Sequence, residues 1–171
     1  MTDDRLTDRL DRLERRLDRA ESALALHELK ARYGELVDAR FARGAPVDPD
    51  HLAVLARQAA SLFTEDGVWD GGPALGVARG RDEIAERLAA PTLVFSRHLF
   101  VKPRLEVDGD HATGRWDLLS PCTRPDGTSL WMAGYEDDVY ARVDGTWLHH
   151  SMTLTTLFIS PAGTGWPKIL A

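Results

Sequence analysis

Cysteine is almost missing from this chain: Cys122 is the only one among 171 residues, so no internal disulfide can form. Arg124 is the one cationic neighbour that could activate its thiol, and the residue reads as inert. Lysine is scarce too. Lys30, Lys102 and Lys168 are the whole complement, and arginine carries the remaining basic charge, a bias from which no function follows. There is no basic excess: the net charge is −6, which argues against nucleic acid or an anionic membrane as a partner. No apolar run is long enough to span a bilayer, and the N-terminus is charged from Asp3 onward, so no signal peptide is read. The expectation is a soluble cytoplasmic protein. Internal repeats and low-complexity linkers are also lacking. With 43% hydrophobic residues the chain fits one globular domain, residues 23–171, preceded by a helical extension, residues 1–22.

What is present begins with leucine. Leu6, Leu10, Leu13, Leu17, Ala20 and Leu24 alternate at spacings of 4 and 3, with aspartate, glutamate and arginine filling nearly every position between them. This is a heptad seam on an otherwise charged helix. It packs either on its own domain or on a neighbouring subunit. The seam runs on into Ala25–Phe41, unbroken or kinked near Glu21-Ser22, and Gly44-Ala45-Pro46 ends it. Here one face is bulky and apolar (Leu26, Leu29, Tyr33, Leu36, Val37), and a second is charged (Glu28, Arg32, Glu35, Arg43). A third line, His27, Ala31, Gly34, Asp38 and Ala42, is made of small residues with a histidine and a carboxylate set among them.

Asp48, followed by Pro49, caps a second helix from about Pro49 to Phe63. Thr64–Gly67 reads as a turn, the next two glycine-rich pieces as short strands, and Arg81–Ala90 as a short helix. Four long β-branched and aromatic segments follow, separated by turns at 108–110, 124–127 and 143–146. Helices followed by a meander specify an α+β fold, a curved sheet wrapped over about three helices. The tail from Pro161 is rich in proline and glycine and reads as irregular.

The order of several short motifs resembles the SnoaL-like branch of the nuclear-transport-factor-2-like superfamily. They are LKARYGELVD on the first helix, then SLFTEDGVWDG, GVARGRDEI, RHLFVKPRLEVDGDHATGRW, GYEDDVYARVDGTWLHH and the late Gly165-Trp166. The resemblance implies a cone, a strongly bent mixed or antiparallel sheet closed by helices around an apolar pocket, and it is similar in this to scytalone dehydratase and bile-acid dehydratase. Dimers and trimers are common in that family, so a homo-oligomer is expected.

The resemblance also implies chemistry. In the dehydratase and dehydrochlorinase subgroup an aspartate on the first helix orients a histidine on the sheet, and the matching positions here are Asp38 and His98. Tyr33 stands five residues before Asp38, a spacing that the bile-acid dehydratases share. On this reading Asp38 fixes the tautomer of His98, His98 abstracts a proton, and the Tyr33 phenol serves a developing oxyanion or a leaving hydroxyl. No metal and no organic cofactor is expected. Trp116, Trp131, Tyr135 and His150 are the expected substrate contacts, His150 because it alternates in phase with Met152 and Leu154. A histidine at best stands where the dehydrochlorinases use a basic residue on the last strand, which speaks against halide elimination. Asp137 and Asp138 read as an exposed acidic strand end paired with Arg142 or Arg115. The function expected is a cofactor-free lyase or isomerase acting on a small apolar, ring-containing carbonyl or hydroxy compound. The alternatives are a binding or accessory protein with the same pocket and no turnover, and an assembly module in which the heptad helix does the work.

Overall fold

The computed structural model describes residues 2–164. Gly165-Trp166 and the rest of the proline- and glycine-rich tail lie outside the described residues.

Within the described residues four helices and nine strands follow one another. Helix α1 (Thr2–Asp38) leads into a hairpin of β1 (Phe41–Ala42) and β2 (Ala45–Pro46), then α2 (Pro49–Ala60). Next come β3 (Phe63–Asp70), α3 (Gly72–Leu75), β4 (Val77–Arg79) and α4 (Gly80–Ala89). The rest is sheet: β5 (Phe95–Ser96), β6 (Leu99–Asp108), β7 (His111–Thr123), β8 (Ser129–Val143) and β9 (Thr146–Pro161), closed by a 3-10 turn at Ala162–Thr164. This is the α+β cone: a strongly curled sheet with helices over its concave face.

Helix α1 passes Glu21-Ser22 without a break and is ~55 Å long at 1.5 Å per residue. Its second half packs on the sheet through the buried Ser22, Leu26, Leu29, Tyr33 and Val37, and just ahead of these Asp18 takes Arg142 of β8. It ends at Asp38, earlier than Gly44-Ala45-Pro46 had suggested, because residues 41–46 form a hairpin instead. Arg43 and Gly44, both at positive φ (54° and 77°), make its turn. Helix α2 starts as its cap residue dictates, with the Asp48 carboxylate accepting from the His51 amide at 3.0 Å. It stops at Ala60, so Phe63 belongs to the following strand.

The sheet order is β4-β3-β9-β8-β7-β5, with β6 also on β7. All pairs are antiparallel except β3 with β9. Thr64–Gly67 is not a free turn but lies inside β3. Phe63 pairs with His149 and Val68 with Ser151, so this segment bulges against the single residue His150. The three central strands are long, and bulges bend them. On β9 the extra residues are His150, between the pairs Tyr140–His149 and Val139–Ser151, and Leu157, between Gly134–Thr156 and Ala133–Phe158. The turns between long strands hold Gly109, Gly127 and Gly145, all at positive φ. Among the described residues no helix is long and apolar enough to cross a membrane.

Candidate active site

The concave face of the sheet and the end of α1 enclose a cavity of about 330 Å³. Its size is in the range of a small-molecule site. Apolar side chains dominate the wall, with Val37, Trp69, Leu118, Met132, Met152 and Ile159 from five different elements. Polar groups are few: Tyr33, Arg40, His98, Ser120 and Glu136 are the ones used below.

Asp38 is the last residue of α1 and is 8% exposed. A carboxylate there opposes the helix dipole, so other contacts must hold it. They come from the segment just before β6. The His98 amide donates to Asp38 Oδ1 at 3.0 Å and Oδ2 at 3.2 Å, and His98 Nδ1 lies 2.7 Å from Oδ1. Arg97 Nε adds an ion pair at 3.4 Å. An ionised carboxylate only accepts, so the ring proton sits on Nδ1 and the Nε2 lone pair is left as a base. The imidazole lines the cavity and stacks on Phe100 with centroids 5.9 Å apart. Gly34 gives this packing room. A Cβ there would stand 3.3 Å from the Phe100 ring.

Tyr33 also lines the cavity, one and a half turns before Asp38 on α1. Its hydroxyl accepts from Trp69 Nε1 at 2.9 Å, which leaves its own proton available to donate. Burial, with the charge of Glu136, pushes its pKa up, so the phenol stays protonated. Arg40 completes this wall. Its guanidinium is buried and donates to the carbonyls of Val37 and Leu88, both at 2.8 Å.

Four other sequence candidates lie elsewhere. Trp116 faces inward but below the cavity, donating to Tyr140 Oη at 2.9 Å with its ring edge against His27. Trp131 and Tyr135 are on the other face of β8, since Leu130, Met132 and Glu136 are the residues that line the cavity. The Arg115 guanidinium covers the Tyr135 ring at 4.3 Å. His150 was placed inside by alternation with Met152, and the bulge overturns that. Being the extra residue, it points to an outer groove near Thr64 and Asp66, while His149 takes the inward position.

Sequence reasoning missed a charged cluster behind the cavity wall. Lys30, 1% exposed, forms ion pairs with Glu136 and, at 2.7 Å, with Asp138. Tyr140 Oη donates to the same Asp138 oxygen at 2.7 Å. Burial pulls the Lys30 ammonium down, but the two carboxylates outweigh it and leave its pKa raised. Burial also raises the Glu136 pKa, against the pull of Lys30. Asp138 is therefore no exposed strand end but a buried residue in the middle of β8, and its half-exposed neighbour Asp137 pairs with Arg115 at 2.6 Å. Two signals were legible. Lys30 is one of three lysines and falls beside the apolar face of α1, and Glu136 and Asp138 share the strand face of Met132. Among the described residues no group of three or more histidine, cysteine or acidic side chains is placed to hold a metal ion.

Comparison with known proteins gives the following. The model of the SnoaL-like domain matches residues 18–153. No curated protein matches the chain. Among solved structures, the dehydrochlorinase LinA is 26% identical, with a TM-score of 0.68, covering 88% of this chain and 97% of that one. A Mycobacterium tuberculosis protein of unknown function, Rv3472, solved as an aspartate-to-asparagine variant, is also 26% identical, with a TM-score of 0.62 and coverage of 79% and 76%. A putative scytalone dehydratase from Novosphingobium aromaticivorans is 19% identical, with a TM-score of 0.68 and coverage of 84% and 89%, a likeness of fold alone.

Proposed function

The chain belongs to the SnoaL-like domain family, and from that premise and the geometry of its cavity we propose that it is a cofactor-free lyase of the dehydratase type, or an isomerase, acting on a small apolar carbonyl or hydroxy compound. One observation carries the proposal: a buried carboxylate 2.7 Å from the ring nitrogen of a histidine that lines an apolar cavity beside a protonated tyrosine. The 26% identity to LinA, a hexachlorocyclohexane dehydrochlorinase, supports an elimination.

The substrate class that suits this geometry is a β-hydroxy carbonyl compound. Nε2 of His98 takes the proton on the carbon next to the carbonyl, and the electron pair released forms the new double bond. The C–O bond to the hydroxyl breaks, and Tyr33 gives its proton to the departing oxygen, so water leaves. The resulting imidazolium is held by Asp38 across Nδ1. The proton on His98 then returns to the Tyr33 oxygen, directly or through water, and closes the cycle. Arg40 supplies fixed positive charge on the same wall for oxygen that becomes negative along the way. In an isomerisation His98 returns the proton to another carbon and Tyr33 only donates a hydrogen bond.

The test joins turnover to tautomer. A panel of ring-containing β-hydroxy ketones and unsaturated ketones is screened by absorbance, with Asp38→Ala and His98→Gln beside the parent. A substrate should be turned over by the parent and lose ~10²–10⁴-fold in rate in His98→Gln. In Asp38→Ala, which leaves Nδ1 without its acceptor, the ¹⁵N shifts of His98 should show the ring proton moved from Nδ1 to Nε2. Binding of panel compounds with no turnover would leave a carrier of the same pocket, and an unchanged tautomer in Asp38→Ala would remove the dyad.

A further inference from the structure

The leucine seam of α1 serves neither the core nor the cavity. Leu6, Leu10, Leu13, Leu17 and Leu24 are 56%, 51%, 48%, 58% and 66% exposed. The opposite side of the same helix holds the domain. Ser22 and Leu26 are buried, and Arg142 donates to Asp18 at 2.8 Å and to Ser22 Oγ at 3.1 Å. At 100° per residue Ser22 and Leu26 each lie ~160° around the helix from Leu24. The seam therefore faces away from its own domain, and folding of one chain leaves it uncovered.

The flanking charges say what covers it. With Leu10, Leu17 and Leu24 at heptad position a and Leu6, Leu13 and Ala20 at d, position e holds Thr7, Glu14 and Glu21, and position g holds Arg9, Arg16 and Ala23. In a parallel pair, g of one helix faces e of the next heptad on its partner. Arg9 then meets Glu14, and Arg16 meets Glu21, on both flanks of the seam. In an antiparallel pair g faces g and e faces e, which sets arginine against arginine and glutamate against glutamate. Among the described residues none of these four charges has an ion pair within its own chain, so all are available to a partner. The leucine side of the helix stays open further along, where Glu28, Ala31, Arg32 and Glu35 are exposed, and the two domains would stand on the outer sides of the pair.

We infer that residues 6–24 of α1 form a parallel, in-register two-stranded coiled coil with the same helix of a second copy. The inference rests on a surface remote from the cavity and is independent of the catalytic reading.

Sedimentation equilibrium of the full chain at tens of micromolar should give a two-chain mass. Leu10→Asp with Leu17→Asp should reduce it to one chain with an unchanged circular dichroism spectrum in the sheet region, since both side chains are exposed in the single chain. For orientation, Leu6→Cys is oxidised under native conditions and alkylated before denaturation; native Cys122 is buried. In-register parallel helices join copies through this one position. The inference is overturned by a one-chain or three-chain mass for the parent, by a dimer that survives the double aspartate variant, or by cross-linking of Leu6→Cys only when mixed with Leu24→Cys.

Discussion

His149 should make the protein acid-sensitive, by an amount that follows from its surroundings. The ring is fully buried among Tyr33, Phe63 and Tyr140, with centroids 5.8, 5.1 and 5.0 Å away. Neither ring nitrogen has a hydrogen-bond partner among the described residues; the nearest carboxylate oxygen, on Asp138, is 3.8 Å from Nδ1. Burial lowers its pKa from the ordinary 6.5 to about 3; Asp138 opposes the shift and Lys30 adds to it. The unfolded chain thus binds a proton below pH 6.5 that the folded chain refuses until about pH 3. Stability must fall as the pH falls through this window. Between pH 7 and pH 5 the loss is about 2 kcal/mol, taking 1.36 kcal/mol per pH unit below 6.5. His149→Phe keeps an aromatic ring in the aromatic cage and cannot titrate. Urea unfolding of both proteins at pH 7 and pH 5 measures the difference, and titration of groups that the variant leaves unchanged cancels. The parent should lose about 2 kcal/mol more than the variant, or ~4–8 °C in melting temperature. Parallel pH profiles would refute the reasoning, because they would mean that His149 is hydrated or hydrogen-bonded in the folded protein.

Two further outcomes follow from packing. Lys30→Met leaves Glu136 and Asp138 buried without their cation, and should cost about 3–5 kcal/mol in chemical denaturation; adding Glu136→Gln and Asp138→Asn should recover most of that loss. Gly134→Ala would place a Cβ 2.2 Å from the Thr155 backbone carbonyl, which side-chain movement cannot relieve, so its denaturation midpoint should fall by an amount worth about 3 kcal/mol or more.

The fold was legible where a local signal coincides with a global one. Asp48-Pro49 starts α2, and the glycines at 109, 127 and 145 occupy the positive-φ turns of the meander. Alternation on β7 holds from Ala112 to Cys122, where every second residue is buried. It fails on β9 because a bulge inserts one residue, which reverses the phase between His149 and Met152 and sends His150 outward. No residue in Trp147–Leu154 marks the bulge in the sequence. On β8 the pattern itself was clear, but periodicity only divides a strand into two faces. Choosing the side of Trp131 and Tyr135 followed aromatic size, whereas the concave side is that of Met132 and Glu136. Asp138 was misread because its ion-pair partner is on a helix 108 residues away, a pairing that no local window contains.

The cluster missed by sequence bears on the site that was expected. Glu136 is on the cavity wall, and a bare carboxylate there would favour a cation in an otherwise apolar space. Lys30 occupies that place from behind. Its ammonium also lies 4.4 Å from the centroid of the Phe100 ring, the ring on which His98 stacks. One helix therefore presents Lys30 to the sheet carboxylates, Tyr33 to the cavity and Asp38 to His98, all within nine residues. Fixing the rotation of α1 against β8 through Lys30 fixes Tyr33 and Asp38 at the same time. A buried ion pair is a poor source of net stability, since well-packed apolar side chains do as well. It is a strong source of register, because sliding α1 by one turn would strand three charges in a dry interior. The Lys30 cluster is thus better understood as the element that positions the candidate dyad than as a contribution to stability.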